Sequence, residues 1–206
     1  MSATAAADVA LVLFAVLGVL GFGWRSWLQY RRTGSTGFRG IRGRIGSAEW
    51  IAGVGLVVAL MLTVSAPVLQ RAEVIEPLGM LSAVWIQAAG IGVATAGIAA
   101  TVYAEVEMGD SWRIGVDDQE TTALVHTGVF ARVRNPIYTA MLTFALGIAL
   151  VTPNLVSCAA FILLLGTIEF QVRRVEEPYL LRRHGDAYRA YTASVGRFVP
   201  GVGLIR

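Results

Sequence analysis

Stretches without charged residues divide the chain into four apolar windows. They cover residues 9–24, 50–70, 77–104 and 135–168, with lengths of 16, 21, 28 and 34 residues. A charge at the centre of a bilayer costs roughly 2.5 to 3.5 kcal/mol, so windows of this kind mark membrane spans. A span needs about 20 apolar residues, and each of the first three windows therefore predicts one transmembrane helix.

The fourth window is too long for a single crossing. As one helix it would extend about 51 Å at roughly 1.5 Å per residue, against a hydrocarbon core of about 30 Å. Pro153 and Asn154 lie near its middle, and a Pro-Asn pair favours a turn. We therefore expect a tight hairpin of two helices, about residues 137–151 and 154–171.

The composition is that of a membrane protein. Of the 206 residues, 55% are hydrophobic and only 15% are charged, and the mean hydropathy is +0.63, which is more apolar than a soluble domain. The predicted fold class is an all-α integral membrane protein with about five transmembrane helices, including the tight hairpin, and a cytosolic C-terminal helical segment. Residues 1–104 hold three N-terminal transmembrane helices, and residues 105–206 hold the hairpin 137–171 and most of the polar residues.

The arginines predict the orientation in the membrane. The linker at 25–47 carries six arginines and no acid, and the tail from Arg173 onward carries seven more. By the positive-inside rule both are cytoplasmic, which places the N-terminus outside and the C-terminus inside. Residues 1–8 lack a basic region, so we expect the first span to be a retained anchor. We expect a multi-pass protein of a bacterial cell (inner) membrane.

Several kinds of site are excluded or disfavoured. Cys158 is the only cysteine, so neither a disulfide nor a cysteine-based metal site is possible. All 17 basic residues are arginines, which excludes a lysine nucleophile. His126 and His184 form no ligand constellation, so no metal is predicted. The aromatic residues beside the linker arginines are typical of an interfacial belt that contacts membrane lipids, and no nucleic acid partner is expected.

A row of small residues in the third window predicts close helix packing. Gly92, Ala96 and Ala100 recur at four-residue spacing. On a helix such residues share one face, and small side chains there let two backbones approach closely. The Gly-x-Gly fragment that includes Gly92 follows no strand, so we do not interpret it as a dinucleotide fingerprint.

A charged stripe follows the fourth window. Glu169, Arg173 and Glu177 recur every four residues, which predicts one acid-base-acid face of a helix. Surface pairs of this kind contribute only about 0.3 to 0.5 kcal/mol, so stability is a weak reason for them. Carboxylates at the membrane end of a helix are candidates for function. Pro178 predicts a bend after the stripe, followed by one helix through residues 179–191.

A second polar cluster precedes the hairpin. Gly128 supplies a flexible turn, and Arg134 is the last charge before the membrane. Asn135 precedes Pro136, which is suited to begin a helix. A helix N-terminus beside an arginine and an asparagine is suited to bind an anion. The same residues fit equally well an arginine that anchors the helix end at the membrane interface.

Three segments together resemble a known family. They are "MGDSWRIG", "LVHTGVFARVRNPIYTA" and "EEPYLLRRHGDAYRAYTASVGRFVP", spread over about residues 105–200. Their order and spacing resemble the isoprenylcysteine carboxyl methyltransferase family and the wider bacterial and phospholipid methyltransferase group. The shared pattern is Arg-(His or Asn)-Pro-x-Tyr, a membrane hairpin, Glu-Glu-x-x-Leu, Gly-x-x-Tyr-x-x-Tyr and a closing Arg-Phe-x-Pro. Leading members carry histidine where this chain has Asn135, which cannot titrate and so is not expected to act as a base.

The resemblance implies an S-adenosylmethionine-dependent methyltransferase. The cofactor would lie in a cytosolic pocket, and a lipophilic acceptor would enter from the bilayer, favoured as the carboxylate of a prenylated cysteine or an isoprenoid-like molecule. Arg173 and Glu177 would be the pair nearest the chemistry. The implied cofactor-binding residues are Leu124, Val125, Gly128, Arg134, Asn135, Tyr138, Glu176, Glu177, Leu180 and Tyr188.

Other functions stay open at this stage. A carboxylate acceptor is already a nucleophile at neutral pH, whereas an amine or phenol would need a base, for which Glu177 is the first candidate. An NADPH-dependent steroid-type membrane reductase has a similar C-terminal pattern and would need a basic site for the extra phosphate. A non-enzymatic membrane scaffold would need no pocket. The residues leave the oligomeric state and the choice of acceptor open.

Overall fold

A computed structural model describes residues 1–36, 40–41, 43–109 and 124–205. Its α-helices are α1 (Ala3–Leu17), α2 (Arg25–Thr33), α3 (Ala48–Arg71), α4 (Val84–Met108), α5 (Pro136–Val151), α6 (Leu155–Gln171), α7 (Glu177–His184) and α8 (Asp186–Ser194). Two π-helical segments, Gly18–Trp24 and Val172–Glu176, join α1 to α2 and α6 to α7. Two short 3-10 helices cover Gly79–Leu81 and Gly128–Ala131. The linker residues Arg39 and Arg42 and most of the "MGDSWRIG" segment lie outside the described residues.

The predicted fold class is confirmed. Among the described residues, four helical stretches are long and apolar enough to cross a membrane, and they cover Ala3–Thr33, Ala48–Arg71, Val84–Met108 and Leu155–His184. The fifth membrane helix is α5, which is apolar and 16 residues long, about 24 Å at roughly 1.5 Å per residue. The protein is therefore an all-α integral membrane protein.

The predicted hairpin is also confirmed, and its turn is held by buried polar groups. Asn154 caps α6, because its side chain accepts a 2.9 Å hydrogen bond from the backbone N–H of Ser157. The Ser157 hydroxyl donates to the Thr152 carbonyl at 2.7 Å. Thr152 and Asn154 are fully buried. These hydrogen bonds offset part of the cost of removing the polar groups of the turn from water.

Buried amides join the hairpin turn to the N-terminal helices. Asn154 donates from Nδ2 to Gln70 Oε1 at 3.0 Å, and Gln70 donates from Nε2 to the Ala3 carbonyl at 3.0 Å. Leu78 N–H donates to the Pro153 carbonyl at 2.6 Å. One end of the helix bundle therefore holds the start of α1, the end of α3 and the hairpin turn. The start of α5 and the helices α7 and α8 lie at the opposite end.

Glycines set the distance between α4 and α5. A Cβ atom on Gly97 would lie 2.5 Å from the backbone N of Phe144, and one on Gly147 would lie 2.3 Å from the backbone N of Ala94. These separations are far below a van der Waals contact, so the two backbones touch at these positions. The close packing predicted for the third window is real, although it uses other residues than those predicted.

The predicted packing face of Gly92, Ala96 and Ala100 is wrong. All three residues are exposed on the outside of the bundle, and in the described part of the chain a Cβ on Gly92 would have no neighbour within 4 Å. Helix α4 carries two rows of small residues, and the row that includes Gly97 faces α5. The residue spacing identified one row of small residues, but the helix is rotated so that the other row packs against α5.

The predicted single helix over residues 179–191 is also wrong. Gly185 has a φ of +52°, and it ends α7 and begins α8. That left-handed backbone conformation is readily available to glycine and interrupts the helical hydrogen bonds. Tyr188 and Tyr191 lie near each other on α8, with ring centroids 6.2 Å apart.

The first linker contains the predicted interfacial belt with one exception. Trp27 and Tyr30 are exposed, and the Arg31 guanidinium lies 5.4 Å from the centroid of the Trp27 ring. Arg25 instead is buried and donates from Nη2 to the Gly109 carbonyl at 2.5 Å. Arg25 thus connects the first membrane helix to the end of α4.

We predict that Gly97→Ala destabilises the bundle, because its new methyl group would overlap the backbone of α5. Overpacking of this kind costs about 1 to 3 kcal/mol. Gly92→Ala is the matched control on the same helix, and its free energy of unfolding should stay the same or rise by up to about 1 kcal/mol through helix propensity. Thermal unfolding in detergent, followed by circular dichroism, compares the two. Equal effects of both substitutions would contradict the assigned packing face.

Candidate active site

A cavity of about 530 Å³ lies at the end of the bundle where α5 begins, and it extends between the membrane helices. Its volume is within the range of about 300 to 1,000 Å³ typical of small-molecule sites. Eight of the ten implied cofactor residues line it: Leu124, Val125, Arg134, Asn135, Tyr138, Glu176, Leu180 and Tyr188. Gly128 and Glu177 lie outside this lining.

A tight turn positions the polar residues that precede α5. Gly128 has a φ of +57° and begins the 3-10 helix Gly128–Ala131. A Cβ there would lie 1.6 Å from Glu107 Oε2 at the end of α4. Only glycine fits this turn without moving the Glu107 side chain. Gly128 therefore supports the site from outside the cavity, and Pro136 then begins α5 in the first helical turn.

The C-terminal segment pairs with the chain just before α5. Val133 and Gly196 form an isolated parallel bridge, and Arg134 N–H donates to the Gly196 carbonyl at 2.8 Å. Asn135 donates to the Arg197 carbonyl from its backbone N–H and from its side-chain Nδ2, both at 3.1 Å. The Asn135 amide thus holds the C-terminal segment in place, which requires no titration.

A buried cluster of three charged side chains lies beside this pairing. Glu177 Oε1 accepts from Arg134 Nη2 at 3.0 Å and from Arg197 Nε at 2.7 Å. Glu177 Oε2 accepts from Arg197 Nη2 at 2.9 Å. The hydrogen bond to Glu177 is the main cause that raises the pKa of Arg197 above its ordinary value. Both oxygens of Glu177 are therefore engaged by guanidinium groups.

Arg134 also binds backbone carbonyls of the C-terminal segment. Its Nη1 donates to Thr192 O at 3.1 Å and to Val195 O at 2.5 Å, and its Nη2 donates to Gly203 O at 3.0 Å. The Arg134 side chain is only 2% exposed. Its Nε is buried and has no hydrogen-bond partner among the residues that the structure describes.

A second carboxylate lies at the cavity itself. Glu176 Oε1 accepts from the Tyr138 hydroxyl at 2.5 Å and from Gln171 Nε2 at 3.1 Å. All three residues line the cavity. The two neighbouring glutamates thus differ in role, since Glu176 contacts the cavity whereas Glu177 is bound within the arginine cluster.

Arg173 does not meet Glu177. Its side chain is 56% exposed and forms an ion pair with Glu169, four residues earlier. The π-helical segment Val172–Glu176 lies between the two predicted partners. A π turn holds an extra residue relative to an α turn, so it rotates Glu177 away from the face of Arg173. The first half of the predicted stripe is formed, and its last member lies in the arginine cluster.

Aromatic residues from α8 complete the wall of the cavity. Tyr188 and Tyr191 both line it, and the Tyr191 hydroxyl donates to the Phe130 carbonyl at 2.6 Å. Burial raises the pKa of Tyr191 to about 12 and raises the pKa of Tyr188 as well. Both phenols are therefore neutral at physiological pH and supply apolar rings with a hydrogen-bonding tip.

Arg197 is absent from the site residues that the motifs imply. It is the first residue of the closing Arg-Phe-x-Pro motif, and the sequence pattern gives that arginine no specific role. Arg182, Arg183 and Arg189, in contrast, are exposed. Spacing alone does not separate Arg197 from these exposed arginines, because its partner Glu177 is 20 residues away along the chain.

The sequence model of the phospholipid methyltransferase family matches residues 80–187, just over half of the chain. The chain belongs to this family. The match begins before α4 and ends in α8, so it contains Arg134, Tyr138, Glu176 and Glu177. The helices α1 to α3 and Arg197 lie outside it. The resemblance noted in the sequence is thereby confirmed.

A curated relative matches part of this phospholipid methyltransferase family member. A protein-S-isoprenylcysteine O-methyltransferase from Schizosaccharomyces pombe is 36% identical to it over 77 residues. That segment covers 37% of this chain and 33% of the relative. The likeness thus spans about a third of each protein.

We predict that Arg197→Ala strongly destabilises the C-terminal segment of this family member. Removing one member of a buried charge cluster leaves the others unpaired, which typically costs about 3 to 5 kcal/mol. Arg173→Ala is the matched control, because it removes an exposed arginine-glutamate pair that contributes about 0.3 to 0.5 kcal/mol. Thermal unfolding and limited proteolysis of the C-terminal segment measure both variants. A similar small effect of the two would contradict the assigned burial of the cluster.

Proposed function

We propose that this protein is an S-adenosylmethionine-dependent membrane methyltransferase that acts on a lipophilic acceptor. The favoured acceptor is the carboxylate of a prenylated cysteine or of an isoprenoid-like molecule. The main support is a cavity that contacts the Tyr138–Glu176 pair at one end and continues between membrane helices at the other. Family membership and the partial match to an isoprenylcysteine methyltransferase support the same proposal.

The residues around the cavity fit the proposed cofactor. S-adenosylmethionine carries an ammonium, a carboxylate and a sulfonium cation attached to an adenosine. Glu176 offers a carboxylate for the ammonium, and the unsatisfied Nε of Arg134 offers a donor for the carboxylate. Leu124, Val125 and Tyr188 offer apolar and aromatic surface for the adenine. The cofactor has no phosphates, so no glycine-rich phosphate loop is needed.

The bound cofactor would supply an activated methyl group on its sulfonium. The chain would supply orientation and a site from which water is excluded. An acceptor carboxylate is ionised at neutral pH and needs no general base. This requirement agrees with Glu177, because both of its oxygens are bound by arginines. We propose that Glu177 ties the C-terminal segment over the cofactor.

Arg173 is the proposed partner of the acceptor carboxylate. Its present partner is Glu169, and the pair is half exposed to solvent. A pair of this kind is worth only about 0.3 to 0.5 kcal/mol, so exchanging Glu169 for a substrate carboxylate costs little. Arg173 also lies within the π-helical segment between Gln171 and Glu176, both of which line the cavity.

Two residues suggest how a lipophilic acceptor reaches the cavity. Phe22 of the first membrane helix and Val57 of α3 both line it, and they are 38% and 46% exposed. We propose that the cavity opens laterally toward the bilayer beside these two residues. We further propose that the end of the bundle with α7 and α8 is cytoplasmic and that the N-terminus lies outside, as the arginines indicate.

Cofactor binding tests the proposal directly. Purified protein in detergent should bind S-adenosylmethionine in calorimetry and should transfer its methyl group to an acceptor in a panel of prenyl-thio acids, fatty acids and lipid amines. Binding of NADPH without S-adenosylmethionine would favour a membrane reductase, and binding of neither would favour a scaffold. Either outcome would overturn the proposed function.

We predict that Glu176→Gln weakens S-adenosylmethionine binding, because it removes the negative charge that faces the cofactor ammonium. Hydrogen bonds to charged groups contribute about 1.5 to 3 kcal/mol, which corresponds to roughly a tenfold to hundredfold rise in Kd. Glu73→Gln makes the same change at an exposed position at the opposite end of the bundle and should leave Kd unchanged. Equal Kd values for both variants would contradict the role assigned to Glu176.

We predict different effects for the two residues implied nearest the chemistry. Arg173→Ala should raise KM for the acceptor and lower kcat/KM about tenfold or more without changing cofactor Kd, because it removes a charged hydrogen bond to the acceptor. Glu177→Gln should lower stability and weaken cofactor binding together, because it loosens the C-terminal segment. Methyl-transfer kinetics and thermal unfolding measure these effects. Unchanged methyl transfer in both variants would contradict the proposed site.

A further inference from the structure

Helix α3 presents one continuous face to the cavity. The lining residues on this helix recur at spacings of three and four, which places them on a single side. They are Glu49, Ala52, Gly53, Leu56, Val57, Leu60 and Thr63. Fourteen residues separate the first from the last, which corresponds to about 21 Å along the helix axis at roughly 1.5 Å per residue. The cavity therefore follows α3 over a large part of the membrane thickness of about 30 Å.

The chemistry of the lining changes along this face. Near Glu49 the cavity is bounded by polar residues, among them Asn135 and Glu176. Beyond the first two turns of α3 its walls are hydrocarbon, with Leu56 and Leu60 opposite residues of α5 and α6 such as Leu164. A ligand that fills the whole space therefore needs a polar head and a long apolar chain.

The deep end of the cavity is bounded mainly by aromatic rings. Phe14 of α1 and Phe144 of α5 meet edge to face, with ring centroids 5.0 Å apart, and both line the cavity. The Thr63 hydroxyl also lies there, but it donates to the Ala59 carbonyl at 2.7 Å within its own helix. These surroundings favour a chain that is apolar up to its tip.

Part of the wall of this apolar arm comes from outside the family-matched segment. The match covers residues 80–187, whereas Phe14, Leu56 and Leu60 belong to α1 and α3. The polar end is built by the matched segment, through Arg134 and Glu176. The region that binds the apolar chain is therefore contributed in large part by helices that the family model does not describe.

We propose that α1 and α3 form a chain-length gauge for the acceptor, in which Leu56 and Leu60 determine the longest hydrocarbon tail that the enzyme accepts. The ligand is a single linear isoprenoid chain, and its nucleophilic head group lies at the Glu176 end of the cavity. The identity of this ligand rests on the proposed function. The shape of the apolar arm is independent of that function, so binding of the hydrocarbon chain can be measured without any methyl transfer.

The test compares tryptophan substitutions at neighbouring positions of α3. Leu60→Trp fills the deep part of the arm, and Leu56→Trp fills it one turn nearer the polar end. Met61→Trp is the control, because Met61 is 68% exposed on the outer surface of the same helix. The probes are the S-geranyl, S-farnesyl and S-geranylgeranyl thioethers of 3-mercaptopropionic acid, each of which keeps a free carboxylate. Their Kd values are measured by competition with a fluorescent lipid in detergent, without S-adenosylmethionine.

The gauge predicts a graded result. Leu60→Trp should weaken binding of the geranylgeranyl probe about tenfold or more, since several buried methylene groups lose their place, and should leave the geranyl probe within about twofold. Leu56→Trp should weaken the farnesyl probe as well. Leu60→Ala should act in the opposite direction and favour the geranylgeranyl probe, which a folding defect would not produce. Met61→Trp should change none of the three.

Three binding results and one result from mass spectrometry would each overturn the gauge. The first binding result is an equal rise in Kd for all three probes in Leu60→Trp. The second is an equal change in Kd in Leu60→Trp and Met61→Trp, and the third is a Leu60→Ala variant that does not favour the geranylgeranyl probe. A co-purified phospholipid that occupies the arm and resists all three probes would also overturn it, and mass spectrometry of the purified protein detects such a lipid. Graded binding without methyl transfer to any probe would support the gauge while contradicting the proposed function, so the two fail separately.

Discussion

The candidate site depends on one buried carboxylate held by two arginines. Glu177 is bound by Arg134 from the start of α5 and by Arg197 from the C-terminal segment. Three charges taken out of water are costly unless each finds partners, and removing any one leaves the others unsatisfied. The cluster therefore fixes where the C-terminal segment lies relative to the hairpin. That placement in turn brings the tyrosines of α8 against the cavity.

Local departures from ideal α-helix geometry allow this arrangement. The π-helical segment before α7 lies between Arg173 and Glu177, so that Glu177 joins the arginine cluster while Glu176 lines the cavity. Gly185 then turns the chain so that α8 returns to the hairpin. Both departures adjoin residues of the site. π-helical turns are frequent at functional sites, because they redirect side chains without ending the helix.

Two parts of the chain form different ends of the cavity. The segment matched by the phospholipid methyltransferase family supplies the polar end of the cavity, and the N-terminal helices supply much of its apolar wall. A polar group must meet its partners with good geometry, whereas an apolar wall needs only the right shape and volume. The second part can therefore change its lining without disturbing the chemistry of the first.

The sequence by itself determined the membrane spans and the hairpin at Pro153, because the cost of a charge in the bilayer and the geometry of proline act over a few residues. The family resemblance added eight of the residues that line the cavity. Only the tertiary structure decided that Gly97 rather than Gly92 faces α5, and that Glu177 pairs with Arg197 rather than with Arg173. Both outcomes depend on how far each helix is rotated about its axis. That rotation is fixed by contacts between segments that are far apart in the sequence, so it cannot be predicted from residue spacing within one helix.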